Sequence, residues 1–194
     1  GIALLVTMWC GFFLWGDVHA SILSVRDNNA LPLFLICSTF LVCSGALDDR
    51  FGLGISSRVV TELLVALAVT ELADLRVSYL GDLVGLGTIQ LHPMAAYPFT
   101  VIAIFGVINA FNMLDGVDGL VGLLVLSTLI AFHIFTETQP GFVSLFVGAS
   151  VAAFLISNLG MTNFIPKTFL GDAGSRLLGF VVVFLLLGAA SGQV

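Results

Sequence analysis

Charge is what this sequence has least of. Of its 194 residues, 9% are Asp, Glu, Lys or Arg, while 59% are hydrophobic. A soluble domain carries about 25% charged residues, so this shortage excludes an ordinary soluble globular protein and leaves an integral membrane protein. Basic residues are scarcest. Six Lys and Arg against twelve Asp and Glu give a net charge of −6, which argues against nucleic acid as a partner, because that recognition needs basic patches. The three cysteines, Cys10, Cys37 and Cys43, lie inside apolar runs without CxxC or metal-ligand spacing; they read as small hydrophobes. The five prolines all fall at or near the ends of apolar runs. No basic leader with a cleavage site is visible, nor a low-complexity tract, a clear repeat or a soluble domain. The chain opens at Gly1 inside an apolar run and stops soon after another. The expectation is one membrane-embedded domain over residues 1–194, truncated at both ends.

What is present is a series of apolar runs. A membrane-spanning helix needs about 17–25 mostly apolar residues. Seven runs approach this: Ile2–Trp15, Leu31–Leu47, Arg58–Ala73, Met94–Asn112, Leu120–Phe135, Phe142–Leu159 and Ser175–Ala190. The expected fold is therefore an all-α polytopic membrane protein with about seven transmembrane helices. Between the third and fourth runs, residues 74–93 alternate apolar residues with Gly81, Gly85 and Gly87. That pattern reads as a small β-hairpin or surface loop.

Seven spans put successive loops on alternate sides. The loops after the second, fourth and sixth runs share one side and carry Asp48 and Asp49, Asp115 and Asp118, and Asp172. The opposite side receives Asp17, Asp27, Asp74, Asp82 and Glu137 without a motif. Arg50, Arg58, Lys167 and Arg176 border the first side, Arg26 and Arg76 the second. The positive-inside rule then makes the carboxylate side cytoplasmic.

The densest of these loops is Asn109–Leu120, NAFNMLDGVDGL, with Asn109, Asn112, Asp115 and Asp118 between two apolar runs. A charge beside such runs is costly unless it is used or paired. Carboxylates gathered at one membrane face repel one another unless a cation joins them. Oxygen donors of this kind suit Mg2+ or Mn2+, and Mg2+ usually takes one or two carboxylates and leaves its other positions to water and phosphate. Free backbone N–H groups are expected at Asp118-Gly119 and Gly174-Ser175, each opening an apolar helix, and helix N-termini attract phosphate. Arg50, Lys167 and Arg176 are placed to steady remaining negative charge. Glu62, one turn beyond Arg58, is expected to pair with it. Asn158, ending the sixth run on the same side, reads either as a helix cap or as part of the site. His19, His92 and His133 lie on or toward the other side, where local roles are expected.

Three segments, GALDDRFGL (Gly45–Leu53), NAFNMLDGVDGL and FLGDAGSRLLGF (Phe169–Phe180), resemble the polyprenyl-phosphate N-acetylhexosamine-1-phosphate transferases, glycosyltransferase family 4. Order and spacing match along essentially the whole chain. The DDR and FNMLDG forms are most similar to the bacterial branch that makes undecaprenyl-pyrophosphate-N-acetylglucosamine, and less so to the phospho-MurNAc-pentapeptide transferases of peptidoglycan synthesis. The resemblance implies attack of undecaprenyl phosphate on the β-phosphorus of a UDP-sugar, release of UMP, a need for Mg2+ or Mn2+, and a fold of ten or eleven spans in the bacterial inner (plasma) membrane. It also implies that residues 74–93 form a periplasmic hairpin. Membrane lipid surrounds such a protein, and a homodimer is the assembly to test.

Carried over by motif, the resemblance makes Asp172 the main metal carboxylate, with Asn112 as a second ligand. Asp48 would orient or deprotonate the lipid phosphate and Asp49 would support it. Asp115 would lie near the diphosphate. Asp118 would help read the uracil, with Asn158 and Lys167 on the nucleotide-sugar side. Family members also carry a Pro-x-x-Gly-Gly element before the first span and a His-x-His-His loop after the third motif; Gly1 matches the end of the former, and the sequence stops at Val194 before the latter. The rival readings are an ion-coupled transporter, an intramembrane aspartyl protease using the two Leu-Gly-Asp segments, and a non-catalytic fragment. The absence of a visible repeat weighs against the first. Asp82 and Asp172 falling on opposite sides weighs against the second.

Overall fold

In lipid, a backbone that cannot reach water satisfies its own N–H and C=O groups by forming helices, and apolar runs of this length fold accordingly. The computed structural model describes residues 1–15, 30–52, 54–82, 85, 87–136, 142–161 and 166–190. They form seven helices: α1 (Ile2–Trp15), α2 (Ala30–Phe51), α3 (Ile55–Leu72), α4 (Pro93–Leu114), α5 (Leu120–Thr136), α6 (Phe142–Asn158) and α7 (Gly171–Ala190). Asp17, His19, Arg26, Asp27, Glu137 and most of the turn around Pro140 lie outside the described residues.

Three helices, α2, α4 and α7, are long and apolar enough to cross a membrane. The others fall short for different reasons. Helices α1, α5 and α6 have 14, 17 and 17 residues; α3 has 18 but carries Arg58, Glu62 and Glu71. Lengths and composition thus support a membrane protein, with these three helices as candidate crossings. The expected hairpin does not form strands among the described residues. It is reduced to one isolated antiparallel bridge, Tyr79 with Gln90, flanked by backbone hydrogen bonds from Leu80 N–H to Ile89 O and from Leu91 N–H to Ser78 O, each near 3 Å. Glycines at 81, 85 and 87, all at positive φ, turn the chain too often for a regular ladder.

Helix α7 is the axis of the bundle. It is buried without interruption from Ala173 to Leu185 and packs mainly on α2 and α4, with α1 and α5 also touching it. Phe34 of α2 stacks on Phe180 of α7 with ring centroids 5.5 Å apart and tilts against Phe184 at 4.9 Å. Near the other end of this seam, Gly45 lets α2 press directly on the Ala173 backbone. In a bundle where lipid supplies no hydrophobic drive between helices, small residues at such crossings permit the close packing that holds them.

Two helix boundaries differ from the apolar runs. Helix α2 continues past Leu47 through Asp48, Asp49 and Arg50, and α7 starts at Gly171, four residues before Ser175. Asp48, Asp49 and Asp172 therefore ride on helices rather than in loops. The apolar run marks what lipid tolerates; the helix extends further because its terminal carboxylates find cationic partners.

Candidate active site

The C-terminal ends of α2, α4 and α6 and the N-terminal ends of α3, α5 and α7 meet at one end of the bundle. At its centre is Asp48, only 3% exposed. Its Oδ2 is shared by Arg58 Nε of α3 and by Arg176 Nη2 of α7, the latter at 2.8 Å. Asp172, one turn before Arg176, uses its own Oδ2 to take Arg58 Nη1 at 3.0 Å and Arg176 Nη2 at 3.4 Å. Two guanidinium groups thus bind two carboxylates from different helices, the planar multi-donor geometry that lysine lacks. Asp48 Oδ1 is buried and has no hydrogen-bond partner among the described residues.

Beside this core lies a more open acidic wall. Asp49 Oδ1 accepts from Asp172 N–H at 3.3 Å, and Asp115, the C-cap of α4, accepts from Gly171 N–H. Gly171 has φ +68°, and a Cβ there would lie 3.0 Å from Asp49 Oδ2; only glycine suits both the turn and the approach. Backbone donors of α7 are therefore occupied by carboxylates, the favourable charge for a helix N-terminus. This corrects the expectation of free N–H groups at Gly174-Ser175, which lie inside the helix. Asp115 is pushed up to about 6. Burial is the largest cause, the charge of Asp172 follows, and Asp49 adds to it; the Gly171 hydrogen bond acts in the opposite direction.

The third part sits at the start of α5. Gly119 N–H donates to Asn158 Oδ1 at 2.6 Å, and Asn158 Nδ2 donates to Thr168 O at 2.9 Å. Asn158 is 3% exposed and both ends of its amide are engaged within the protein, bracing α5, α6 and the segment before α7. So the N–H expected to be free at Asp118-Gly119 is also occupied. Asp118 and Lys167, both exposed, form an ion pair at 3.2 Å. Asn112 Oδ1 accepts from Ser175 Oγ at 2.8 Å, which sets it against the first turn of α7. An apolar groove of about 680 Å³ between α1 and α6, lined by Leu4, Thr7, Phe146, Ser150 and Phe154, reaches Leu170 at the edge of this region.

All eight residues expected from the sequence, Asp48, Asp49, Asn112, Asp115, Asp118, Asn158, Lys167 and Asp172, thus stand at one end of the bundle. Among the described residues no three His, Cys, Asp or Glu side chains close into a metal cage.

This arrangement of three motif segments can be set beside known proteins. The glycosyl transferase family 4 profile matches residues 31–190. The chain belongs to glycosyl transferase family 4. Among its relatives is an undecaprenyl-phosphate α-N-acetylglucosaminyl 1-phosphate transferase of Salmonella typhi, 36% identical over 167 residues, covering 84% of this chain and 45% of the relative. The Yersinia pestis protein of the same name is 38% identical over 174 residues, covering 86% and 47%. A decaprenyl-phosphate N-acetylglucosaminephosphotransferase of Mycobacterium leprae is 28% identical over 204 residues, covering 98% and 49%. The chain spans about half the length of these relatives.

In this family 4 chain, three site features escaped the sequence. Glu62 does not form the expected pair with Arg58. It is 1% exposed, accepts a hydrogen bond from Asn109 Nδ2, and faces Arg176 Nε at 3.8 Å. Arg58 instead turns to Asp48 and Asp172, and Arg50, expected near the carboxylates, lies over the Phe51 ring at 5.7 Å. A glutamate inside an apolar run was the available signal for a buried partner, because such a charge is rarely left alone.

Proposed function

We propose that this chain forms the catalytic part of an enzyme that transfers a sugar-1-phosphate, N-acetylglucosamine-1-phosphate, from a UDP-sugar to undecaprenyl phosphate, releasing UMP. The observation that carries the proposal is the convergence of Asp48 and Asp49, Asp115, and Asp172 from three separated segments at the start of α7, Asp48 and Asp172 on Arg58 and Arg176, Asp49 and Asp115 on the first backbone N–H groups. The names of the relatives support the choice of lipid and sugar. In this reading all seven helices cross the bacterial inner membrane, the site faces the cytoplasm, and residues 74–93 face the periplasm. The product would start a lipid-linked glycan of O-antigen, enterobacterial-common-antigen or teichoic-acid type. A homodimer is the proposed assembly.

The donor set fits a hard divalent cation. Among the described residues the ion pairs of Asp172 fall on its Oδ2, which leaves Oδ1 to a metal, and Asn112 offers an amide oxygen. Asp172 and Asn112 would hold Mg2+ or Mn2+, the remaining positions falling to water and phosphate oxygens. Such an ion supplies charge stabilisation to a diphosphate and its leaving nucleotide. The protein's own work is mostly placement and charge neutralisation, as in phosphoryl transfer generally. Arg58, whose side chain is 36% exposed, is the cation best placed to meet an incoming phosphate. Asp48 lies beneath it and orients that phosphate through Arg58 rather than by direct contact. A phosphate monoester is largely dianionic at neutral pH, its second pKa being about 6, so little proton removal is needed. Asp118 and Lys167, exposed and paired, take the nucleotide side, with Asn158 fixing the turn that carries Asp118. The apolar groove beside Leu170 would seat the lipid tail.

The test is UMP release from UDP-N-acetylglucosamine and undecaprenyl phosphate, with and without Mg2+, by this chain and by a version extended to the length of its relatives. Lipid- and Mg2+-dependent UMP release is expected from the extended version. Its failure with every UDP-sugar tried would overturn the proposal.

A further inference from the structure

Arg176 is the most deeply buried charge among the described residues, at 0% exposure, and it touches more than the placement of substrate requires. Its Nη2 donates to Asp48 Oδ2 at 2.8 Å and lies 3.4 Å from Asp172 Oδ2, while its Nε faces Glu62 Oε1 at 3.8 Å. Glu62 is fixed in turn by Asn109, whose amide also bonds to Phe105 O within α4. A chain of contacts therefore runs from α4 through Glu62 of α3 and Arg176 of α7 to Asp48 of α2. Gathered between these helices are three carboxylates, Asp48, Glu62 and Asp172, and two guanidinium groups, Arg58 and Arg176.

We propose that Glu62 and Arg176 form a positioning pair in which Glu62 holds the guanidinium on Asp48 and keeps its contact with Asp172 a long one, so that the open face of Asp172 stays directed to substrate. The inference rests on the transferase reading. Without Glu62, Asp48, Asp172, Arg58 and Arg176 balance in charge, and Arg176 shortens its 3.4 Å hydrogen bond to Asp172, whose Oδ2 Arg58 already meets at 3.0 Å. The carboxylate needed at the open face is then neutralised from behind. Without Arg176, Glu62 loses its cation in a site closed to water, and Asp48 is left on Arg58 alone. Removing one member of a buried ion pair is strongly harmful, whereas removing both charges together is often tolerated. The double replacement Glu62→Gln with Arg176→Met meets that condition. The new glutamine's amide oxygen would still accept from Asn109, and Asp48 and Asp172 would still share Arg58.

The experiment is a double-mutant cycle in a chain extended to the length of its relatives, purified in detergent. It reads kcat, KM for UDP-N-acetylglucosamine and the thermal unfolding midpoint. Glu62→Gln should lower kcat by roughly tenfold or more with KM little changed, the mark of an interaction lost in turnover rather than in binding. Arg176→Met should also lower kcat, and the double variant should lose less than the product of the two single losses, because contacting residues couple rather than add, although Asp48 keeps only Arg58 in both Arg176→Met backgrounds. Two results would overturn the proposal. One is a Glu62→Gln variant with a lowered unfolding midpoint but parental kcat, which would make the pair structural only. The other is a double variant whose loss equals the product of the single losses. An extended parent that releases no UMP from any UDP-sugar would instead overturn the transferase reading, and this inference with it.

Discussion

Replacing Gly45 by alanine should disable the site without touching any of its polar groups. A Cβ at this position would lie 2.5 Å from Ala173 Cα and 2.8 Å from Ala173 N. Carbon atoms in contact prefer about 3.5–4.0 Å, and the obstructing atoms are backbone, so no side chain can rotate away. Helices α2 and α7 must part by roughly 1 Å to admit the methyl group. Overpacking of this kind costs about 1–3 kcal/mol in stability. The functional effect should be larger. Asp48 and Asp49 lie about one turn beyond Gly45 on α2, while Asp172 precedes Ala173 directly on α7. Parting the helices therefore pulls the two carboxylate sets apart, and a displacement of about 1 Å in a catalytic arrangement can cost roughly a hundredfold in rate. The assay is UMP release by the extended protein in detergent, with thermal unfolding measured alongside. Ser44→Ala is the control, since the Ser44 hydroxyl bonds to Leu41 O of its own helix. A Gly45→Ala variant with parental turnover would refute the claim that the close contact of α2 with the α7 backbone is needed for the site to work.

Three further outcomes follow from the geometry. Asp118→Asn should chiefly raise KM for the UDP-sugar, by roughly tenfold if one charge-assisted contact of about 1.5 kcal/mol is lost, and Lys167→Met should share the effect; lowered kcat at unchanged KM would move both residues away from the nucleotide. Asp115, raised to about 6, holds its proton more tightly in the folded state, so its stability contribution is complete below its ordinary value of 3.8 and lost as pH rises through about 6. Turnover that needs the ionised form should fall below about pH 6, and Asp115→Asn should be slow at every pH; a flat parental profile between about pH 5 and 7 would show that Asp115 ionisation is not required. Asn158→Ala strands Gly119 N–H and Thr168 O, each previously bonded, so unfolding should become easier by about 1–3 kcal/mol. A variant with parental stability and raised KM would instead give Asn158 a direct role with the nucleotide-sugar.

The gathering of the three segments was legible because alternation of apolar runs and loops is a property of the sequence itself. Asp48, Asp115 and Asp172 had to share an end once the runs were counted. Helix extent was less legible. Apolar runs ended at Leu47 and began at Ser175, yet α2 and α7 reach Phe51 and Gly171, because Asp48 and Asp172 find Arg58 and Arg176 across the bundle. No local pattern announces a partner many residues away. Glu62 shows the same limit. Its spacing from Arg58 favoured an i,i+4 pair, worth only a few tenths of a kcal/mol on an exposed face. In the folded chain the stronger demands of Asp48 and Asp172 draw Arg58 away, and Glu62 turns to Asn109 and Arg176. The expected hairpin failed for a local reason, since glycines that favour turning also interrupt a ladder.

The most direct measurement follows the phosphorus. UDP-N-acetylglucosamine carrying a radiolabel in its β-phosphate is incubated with undecaprenyl phosphate, Mg2+ and the protein extended to the length of its relatives. The label should appear in the lipid fraction, and the released UMP should be unlabelled, because the bond broken is the one between the α- and β-phosphates. Label left in released UDP, or freed as inorganic phosphate, would contradict a sugar-1-phosphate transfer.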